Sequence, residues 1–161
     1  MDELLQAGAD VNIRNRVGES AVSMAIAYGT VEVVDLLLKK GADIRHGDLL
    51  HHAAMRKNEV EGARIVKRLI DMGLDVNAFQ YDNPHAFSIK GLSARGTPLH
   101  TACAGGNVLV ARTLLAHGAN PRLNALTARK ESDTPFDRAL ATGDEELISV
   151  LRDYDTNWSQ L

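Results

Sequence analysis

The sequence has few residues of the types that stabilise many small proteins or form their functional sites. It contains one cysteine, Cys103, and four prolines, and only 4% of its 161 residues are aromatic. A single cysteine excludes an internal disulfide, so we expect an intracellular compartment, cytoplasmic or nuclear. No apolar run approaches the roughly 18 residues of a membrane span, and a net charge of −3 argues against general nucleic-acid binding. We therefore expect no membrane and no nucleic acid among its partners.

In place of aromatics the sequence has a pattern of small and aliphatic residues, seen best in segment 97–120, TPLHTACAGGNVLVARTLLAHGAN. Thr97 and Pro98 favour a helix start, because threonine caps free N–H groups and proline is tolerated in the first turn. A Gly-Gly pair then ends a short helix, and aliphatic residues at helical spacing predict a second helix that ends at Gly118. Neither helix can bury its apolar side alone, so neighbours of the same kind are expected.

The pattern recurs along the chain. The first-helix start reads SAVSMA from residue 20, DLLHHA from 48, TPLHTA from 97 and TPFDRA from 134. The second-helix endings read LLQAGADVN from residue 4, LLLKKGADI from 36, LIDMGLDVN from 69 and LLAHGANPR from 114. From Gly8 to Gly41 is 33 positions, the period of ankyrin repeats. From Leu4 to about Tyr154 the chain resembles the ankyrin-repeat family. The resemblance implies an all-α solenoid of stacked helix-turn-helix units joined by hairpin loops, acting as a protein–protein interaction module or scaffold.

On this reading, residues 1–155 form a single ankyrin-repeat domain. The predicted divisions are a partial unit at 1–17, a unit at 18–46, a unit with a long insertion at 47–95, a unit at 96–131, a C-terminal capping unit at 132–155 and a tail at 156–161. Because the partial unit lacks its first helix, we expect the chain to be a fragment of a longer protein or to have this end covered by a partner.

Three intervals in the middle of the chain depart from the regular spacing. Asp48 to Gly73 is 25 positions where other units have 21, so the turn or the start of the second helix is extended there. Gly73 to Thr97 is 24 positions against 12, which predicts a surface loop at 74–96 on the hairpin face. Gly41 to Asp48 is only 7 positions, too few for a full β-hairpin.

No catalytic residue, metal ligand or cofactor site is predicted. A zinc site needs three or four converging ligands, and His51 and His100 occupy the histidine of the TPLH motif, which by resemblance makes structural hydrogen bonds between neighbouring loops. Cys103 lies one turn from His100, a spacing that would allow a nucleophile–base pair. The thiol, however, replaces a small buried residue of the family pattern, where it would be inert.

The resemblance implies that a partner chain binds the concave face, touching hairpin tips and exposed positions late in each first helix. The candidate partner-binding residues are Arg14, Arg16, Tyr28, Arg45, His46, Met55, Arg56, Phe79, Tyr81, Phe87 and Arg95. The arginines suggest an acidic partner, or alternatively pair with nearby carboxylates such as Asp43 and Asp48. The three aromatic residues of the insertion either grip a partner or pack on one another.

A second functional hypothesis is small-molecule binding or an enzymatic ankyrin-like protein. Its pocket would lie between the 74–96 insertion and the concave groove, around Tyr28, His52, Met55 and Phe79.

Overall fold

The computed structural model describes residues 3, 7–16, 18–45, 48–80, 95–126 and 132–158, with side chains as far as residue 154. Within these residues the chain forms eight α-helices and no β-strand, so the all-α prediction is confirmed. They are α1 (Ala21–Tyr28), α2 (Val31–Lys39), α3 (Leu49–Ala54), α4 (Glu59–Asp71), α5 (Pro98–Ala104), α6 (Val108–Ala116), α7 (Pro135–Thr142) and α8 (Glu145–Trp158). Consecutive helices pair into units one to four, from α1–α2 to α7–α8.

The starts of the first helices are fixed by side chains that cap the backbone. In α7, the Asp137 N–H donates to Thr134 Oγ1 at 3.2 Å, and Asp137 Oδ2 accepts from the Thr134 N–H at 2.8 Å. In α1, Ser20 and Ser23 exchange the equivalent pair of bonds. Because these bonds satisfy N–H groups that a helix start leaves free, the recurring Ser/Thr positions determine where units one, three and four begin, whereas Asp48 of unit two makes no side-chain capping bond.

The same position of each second helix lies at the centre of the core in all four units. Leu37, Leu69, Leu114 and Leu151 occupy it in units one to four, and each is at most 1% exposed. Each unit's helices also pack on those of the next unit, which makes one continuous apolar core. This is the arrangement that stacked repeats need, because a single helix pair cannot cover its own apolar side.

The extra length of unit two is helical. Helix α4 has 13 residues, whereas α2 and α6 have 9 each, which accounts for the four additional positions. Gly62 lies inside this helix, and a Cβ there would be 2.9 Å from the Ala53 carbonyl oxygen and 3.1 Å from Val110 Cγ2. Glycine is therefore required by the close approach of α4 to its neighbours.

The two ends of the 74–96 insertion meet, because the Gln80 N–H donates to the Gly96 carbonyl at 2.9 Å. Residues 81–94 lie outside the described residues, so the surface loop stays a prediction. The shortened connection after Gly41 places Asp48 at a φ of 53°, a left-handed conformation that is costly for a residue other than glycine. At the C-terminus α8 continues to Trp158, so its last three residues lie in the predicted 156–161 tail. The predicted divisions of the domain stay predictions.

Candidate partner-binding surface

The TPLH histidines join neighbouring units, as predicted. His51 Nε2 donates to the Gly96 carbonyl of the next unit at 3.0 Å, and His100 Nε2 makes the same bond to Asp133 at 3.0 Å. Burial lowers the pKa of both rings to about 4, because the charged form is poorly solvated there. These histidines are therefore neutral structural links.

Two asparagines in the hairpin loops form a second kind of link. The Asn12 side chain donates to the Gly41 carbonyl at 3.4 Å and accepts from the Asp43 N–H at 2.7 Å. Asn77 repeats both bonds, at 3.2 and 2.8 Å, with the turn at 118–120. The loops of successive units are thus held in register by side chains four positions after each helix-ending glycine.

Two of the candidate arginines share one carboxylate. Arg14 Nη2 lies 3.0 Å from Asp43 Oδ2, and Arg45 Nε lies 3.0 Å from Asp43 Oδ1. The hydrogen bonds from Arg45, followed by the charge of Arg14, hold the pKa of Asp43 well below its usual range. The alternative of pairing with a nearby carboxylate therefore applies to both, although the Arg45 side chain is still 81% exposed.

Arg56 does not occupy the exposed position expected for it. Its side chain is only 8% exposed, and its guanidinium donates to the carbonyls of Ile26 at 2.7 Å and Gly29 at 3.0 Å, both at the end of α1. It also forms an ion pair with Glu61. The expectation of an exposed contact is thus wrong, because the long side chain reaches unit one and caps the C-terminal end of α1.

Tyr28 and Met55 are exposed, at 76% and 52%. Met24, one turn before Tyr28 on the same side of α1, is 42% exposed and was missed by the sequence reasoning. Helices α1 and α3 pack on each other, and Tyr28 and Met55 lie at the C-terminal ends of these two helices. We call Met24, Tyr28 and Met55 the first-helix strip.

Units three and four continue the line of the first-helix strip with small residues. Their late first-helix positions are exposed and consist of Ala104, Gly105, Ala141 and Thr142. At these late positions the large apolar side chains, Tyr28 and Met55, belong to units one and two, and Leu140 on α7 is a further exposed apolar side chain at 49%.

The other candidates are dispersed. Arg16 is exposed and Phe79 is half-buried. Arg95 is half-buried, and its backbone exchanges hydrogen bonds of 2.9 and 2.8 Å with Leu126 of the next unit. The predictions for His46, Tyr81 and Phe87 lie outside the described residues.

The Cys103 and His100 side chains do not form a nucleophile–base pair. The thiol is fully buried, and burial raises its pKa to about 12. His100 Nδ1 already accepts from the Thr97 N–H at 3.0 Å. In the part of the chain that the structure describes, no three potential metal ligands converge, and no helix has the length and apolarity to span a membrane.

A cleft of about 250 Å³ opens on unit four. It is lined by Pro121, Arg122, Thr134, Phe136, Leu151 and Arg152. This cleft is remote in sequence from the groove around Tyr28, Met55 and Phe79, where the small-molecule hypothesis placed a pocket.

Comparison with known proteins agrees with this architecture. Residues 1–80 match a family model described as "Ankyrin repeats (3 copies)", and residues 97–152 match one described as "Ankyrin repeats (many copies)". Ankyrin repeat and SOCS box protein 6 of Homo sapiens is 30% identical over 84% of this chain and 31% of its own length. B-cell lymphoma 3 protein homolog of Mus musculus is 29% identical over 94% of this chain and 30% of its own length. The chain thus spans less than a third of the length of these relatives.

Proposed function

Because the chain belongs to the ankyrin-repeat family, we propose that it is a protein–protein recognition module that binds a partner chain through its concave face and hairpin loops. The observation that carries the proposal is the first-helix strip, whose apolar side chains are exposed on α1 and at the end of α3. Large side chains of this kind dominate the energetics of protein interfaces, and prior rigidity reduces the entropy lost on binding.

An acidic partner is a secondary part of the proposal. Arg14 and Arg45 approach the single carboxylate of Asp43, and Arg16 is exposed on the same hairpin as Arg14. A partner carboxylate here would add mainly to the rate of association and to orientation, because exposed ion pairs are weak. The proposed centre of the interface is therefore apolar, with charge at its rim. We infer an intracellular location, cytoplasmic or nuclear.

The test compares the chain with two matched double variants in pull-downs from lysate of the source cells. Tyr28→Ala with Met55→Ala removes the centre of the first-helix strip. Val60→Ala with Leu109→Ala removes two apolar side chains that are 68% and 40% exposed on second helices. A specific partner should lose roughly tenfold or more in affinity with the first pair, as interface hot spots do, and little with the second.

Measurement with the purified partner decides the outcome. Retained affinity in the Tyr28 and Met55 double variant, with unchanged circular dichroism, would contradict the proposed face. Equal loss in both double variants would show that exposed apolar area in general, and not this strip, is responsible.

A further inference from the structure

The sulfur-containing residues of the chain differ sharply in their access to solvent. Cys103 is fully buried, and burial raises the pKa of its thiol to about 12, so the thiolate that reacts with peroxides is scarce. Met24, Met55 and Met72 are 42%, 52% and 45% exposed, whereas Met1 lies outside the described residues. A thioether needs no deprotonation before it is oxidised. Among the described residues, the three methionines are therefore the sulfur-containing side chains open to an oxidant.

Two of these methionines belong to the first-helix strip. Met24 lies on α1, one turn before Tyr28, and Met55 follows the last residue of α3. Together they supply two of the three side chains of the strip. Met72 follows the last residue of α4, which is a second helix, and is not part of the strip. The chain thus carries methionines of similar exposure inside and outside the proposed interface.

Oxidation changes the polarity of a methionine side chain and not its place in the fold. A peroxide transfers one oxygen atom to the thioether sulfur: the O–O bond breaks, an S–O bond forms, sulfur loses two electrons, and hydrogen peroxide is reduced to water. The product is a methionine sulfoxide, whose S–O group is polar. In the free chain this group is hydrated, because the residues are exposed. In an apolar interface it would be buried without a hydrogen-bond donor, which is unfavourable.

We propose that Met24 and Met55 form an oxidation-sensitive switch within the first-helix strip, in which a peroxide converts both thioethers to sulfoxides and thereby releases an apolar partner. This inference rests on the proposed function, because it concerns regulation of the same surface. Two sulfoxides among three side chains should weaken partner binding by at least about tenfold. Methionine sulfoxide reductases should reverse the effect, because they return both sulfoxide epimers to the thioether.

The first part of the test follows the chemistry in the purified chain treated with hydrogen peroxide. Peptide mass spectrometry should show one added oxygen atom on Met24, Met55 and Met72 at similar rates, and none on Cys103. Circular dichroism should not change, because the sulfoxides are hydrated. Protection of Met24 or Met55 relative to Met72 would overturn the proposal, and this result requires no partner.

The second part measures binding after catalase has removed the peroxide. Strip-dependent proteins are those that the untreated chain retains from lysate of the source cells and that Tyr28→Ala with Met55→Ala loses. The peroxide-treated chain should lose them, and methionine sulfoxide reductases A and B together should restore them. Met24→Leu with Met55→Leu keeps a similar apolar volume without sulfur, so it should still retain them after peroxide. The matched control, Met72→Leu, should lose them as the unaltered chain does.

The outcomes separate this inference from the proposed function. Retention of a strip-dependent protein by the peroxide-treated chain would overturn the inference and leave the proposed function standing. Equal loss on peroxide treatment in the Met24 and Met55 leucine variant would also overturn it, because the sensitive group would then lie elsewhere. If no retained protein depends on the strip, the proposed function fails and the inference fails with it.

Discussion

Replacing Arg56 should destabilise the fold far more than replacing an ordinary exposed arginine. Arg56→Ala leaves the Ile26 and Gly29 carbonyls without their donor and Glu61 without its cation. Removing one partner of a buried ion pair costs about 3–5 kcal/mol. The Glu61 side chain is 37% exposed and can be rehydrated, so we expect the lower end, about 3 kcal/mol. In a domain of this size that corresponds to a fall of about 6–12 °C in Tm.

The assay is urea unfolding at pH 7, followed by far-UV circular dichroism. The matched control is Arg64→Ala on α4, whose side chain is 66% exposed and 3.9 Å from Asp35, and which should change stability by at most about 0.5 kcal/mol. Arg56→Lys should give an intermediate loss, because an ammonium cannot reproduce the planar set of donors. An unfolding midpoint for Arg56→Ala equal to that of the control would refute the reasoning. Loss of partner binding in Arg56→Ala would therefore report destabilisation of the fold and not a lost contact with the partner.

Three further predictions concern the core. His51 and His100 are neutral in the folded protein with pKa values lowered to about 4, whereas the unfolded chain takes up protons below about 6.5. The free energy of unfolding should therefore fall from pH 6.5 to 5, by about 2 kcal/mol per histidine at pH 5, and urea midpoints that do not change would contradict this. Gly62→Ala should lower Tm although alanine favours helix by about 1 kcal/mol, because its Cβ would meet the Ala53 carbonyl; a raised Tm would contradict the close approach. Leu114→Ala should cost roughly 2–5 kcal/mol in the same urea assay, and an unchanged midpoint would count against the stacked core.

The repeated pattern determines most of what the sequence predicts correctly. Period and capping residues locate the helix pairs, because the same backbone hydrogen bonds must be satisfied at each start. The structural hydrogen bonds of His51 and His100 and the burial of Cys103 also follow from their positions in the unit, because neighbouring units pack over these positions. The extra length of α4 follows from the spacing of Asp48 and Gly73, which is 25 positions where other units have 21.

Long polar side chains are where the sequence is least informative. Arg56 aligns with Tyr28 and Gly105, both of which are exposed, so its register predicts exposure. Its burial depends on carbonyls about thirty residues earlier in the chain and on Glu61. In the sequence, the only indication of the Arg56–Glu61 ion pair is the spacing of five residues. Met24 lies one turn before the late first-helix positions at which the resemblance predicts partner contacts, so the pattern does not single it out.

The interface between units one and two shows why Arg56 matters to the proposed function. Ser23 stands where His51 and His100 stand, and Arg45 stands where the linking asparagines do. Among the described residues, neither recurring link joins these two units, and the bonds from Arg56 to the end of α1 give them a buried polar connection of another kind.

Because each repeat is stabilised mainly by its neighbours, loss of this connection should act locally. In Arg56→Ala, hydrogen exchange of amides in α1 and α2 should accelerate at urea concentrations that leave α6 and α8 protected. Uniform acceleration in all four helices would instead mean that the stack unfolds as one unit. Tyr28 lies at the end of α1, so local opening would also disperse the first-helix strip. A buried arginine that touches no partner would then control binding by holding the strip in place.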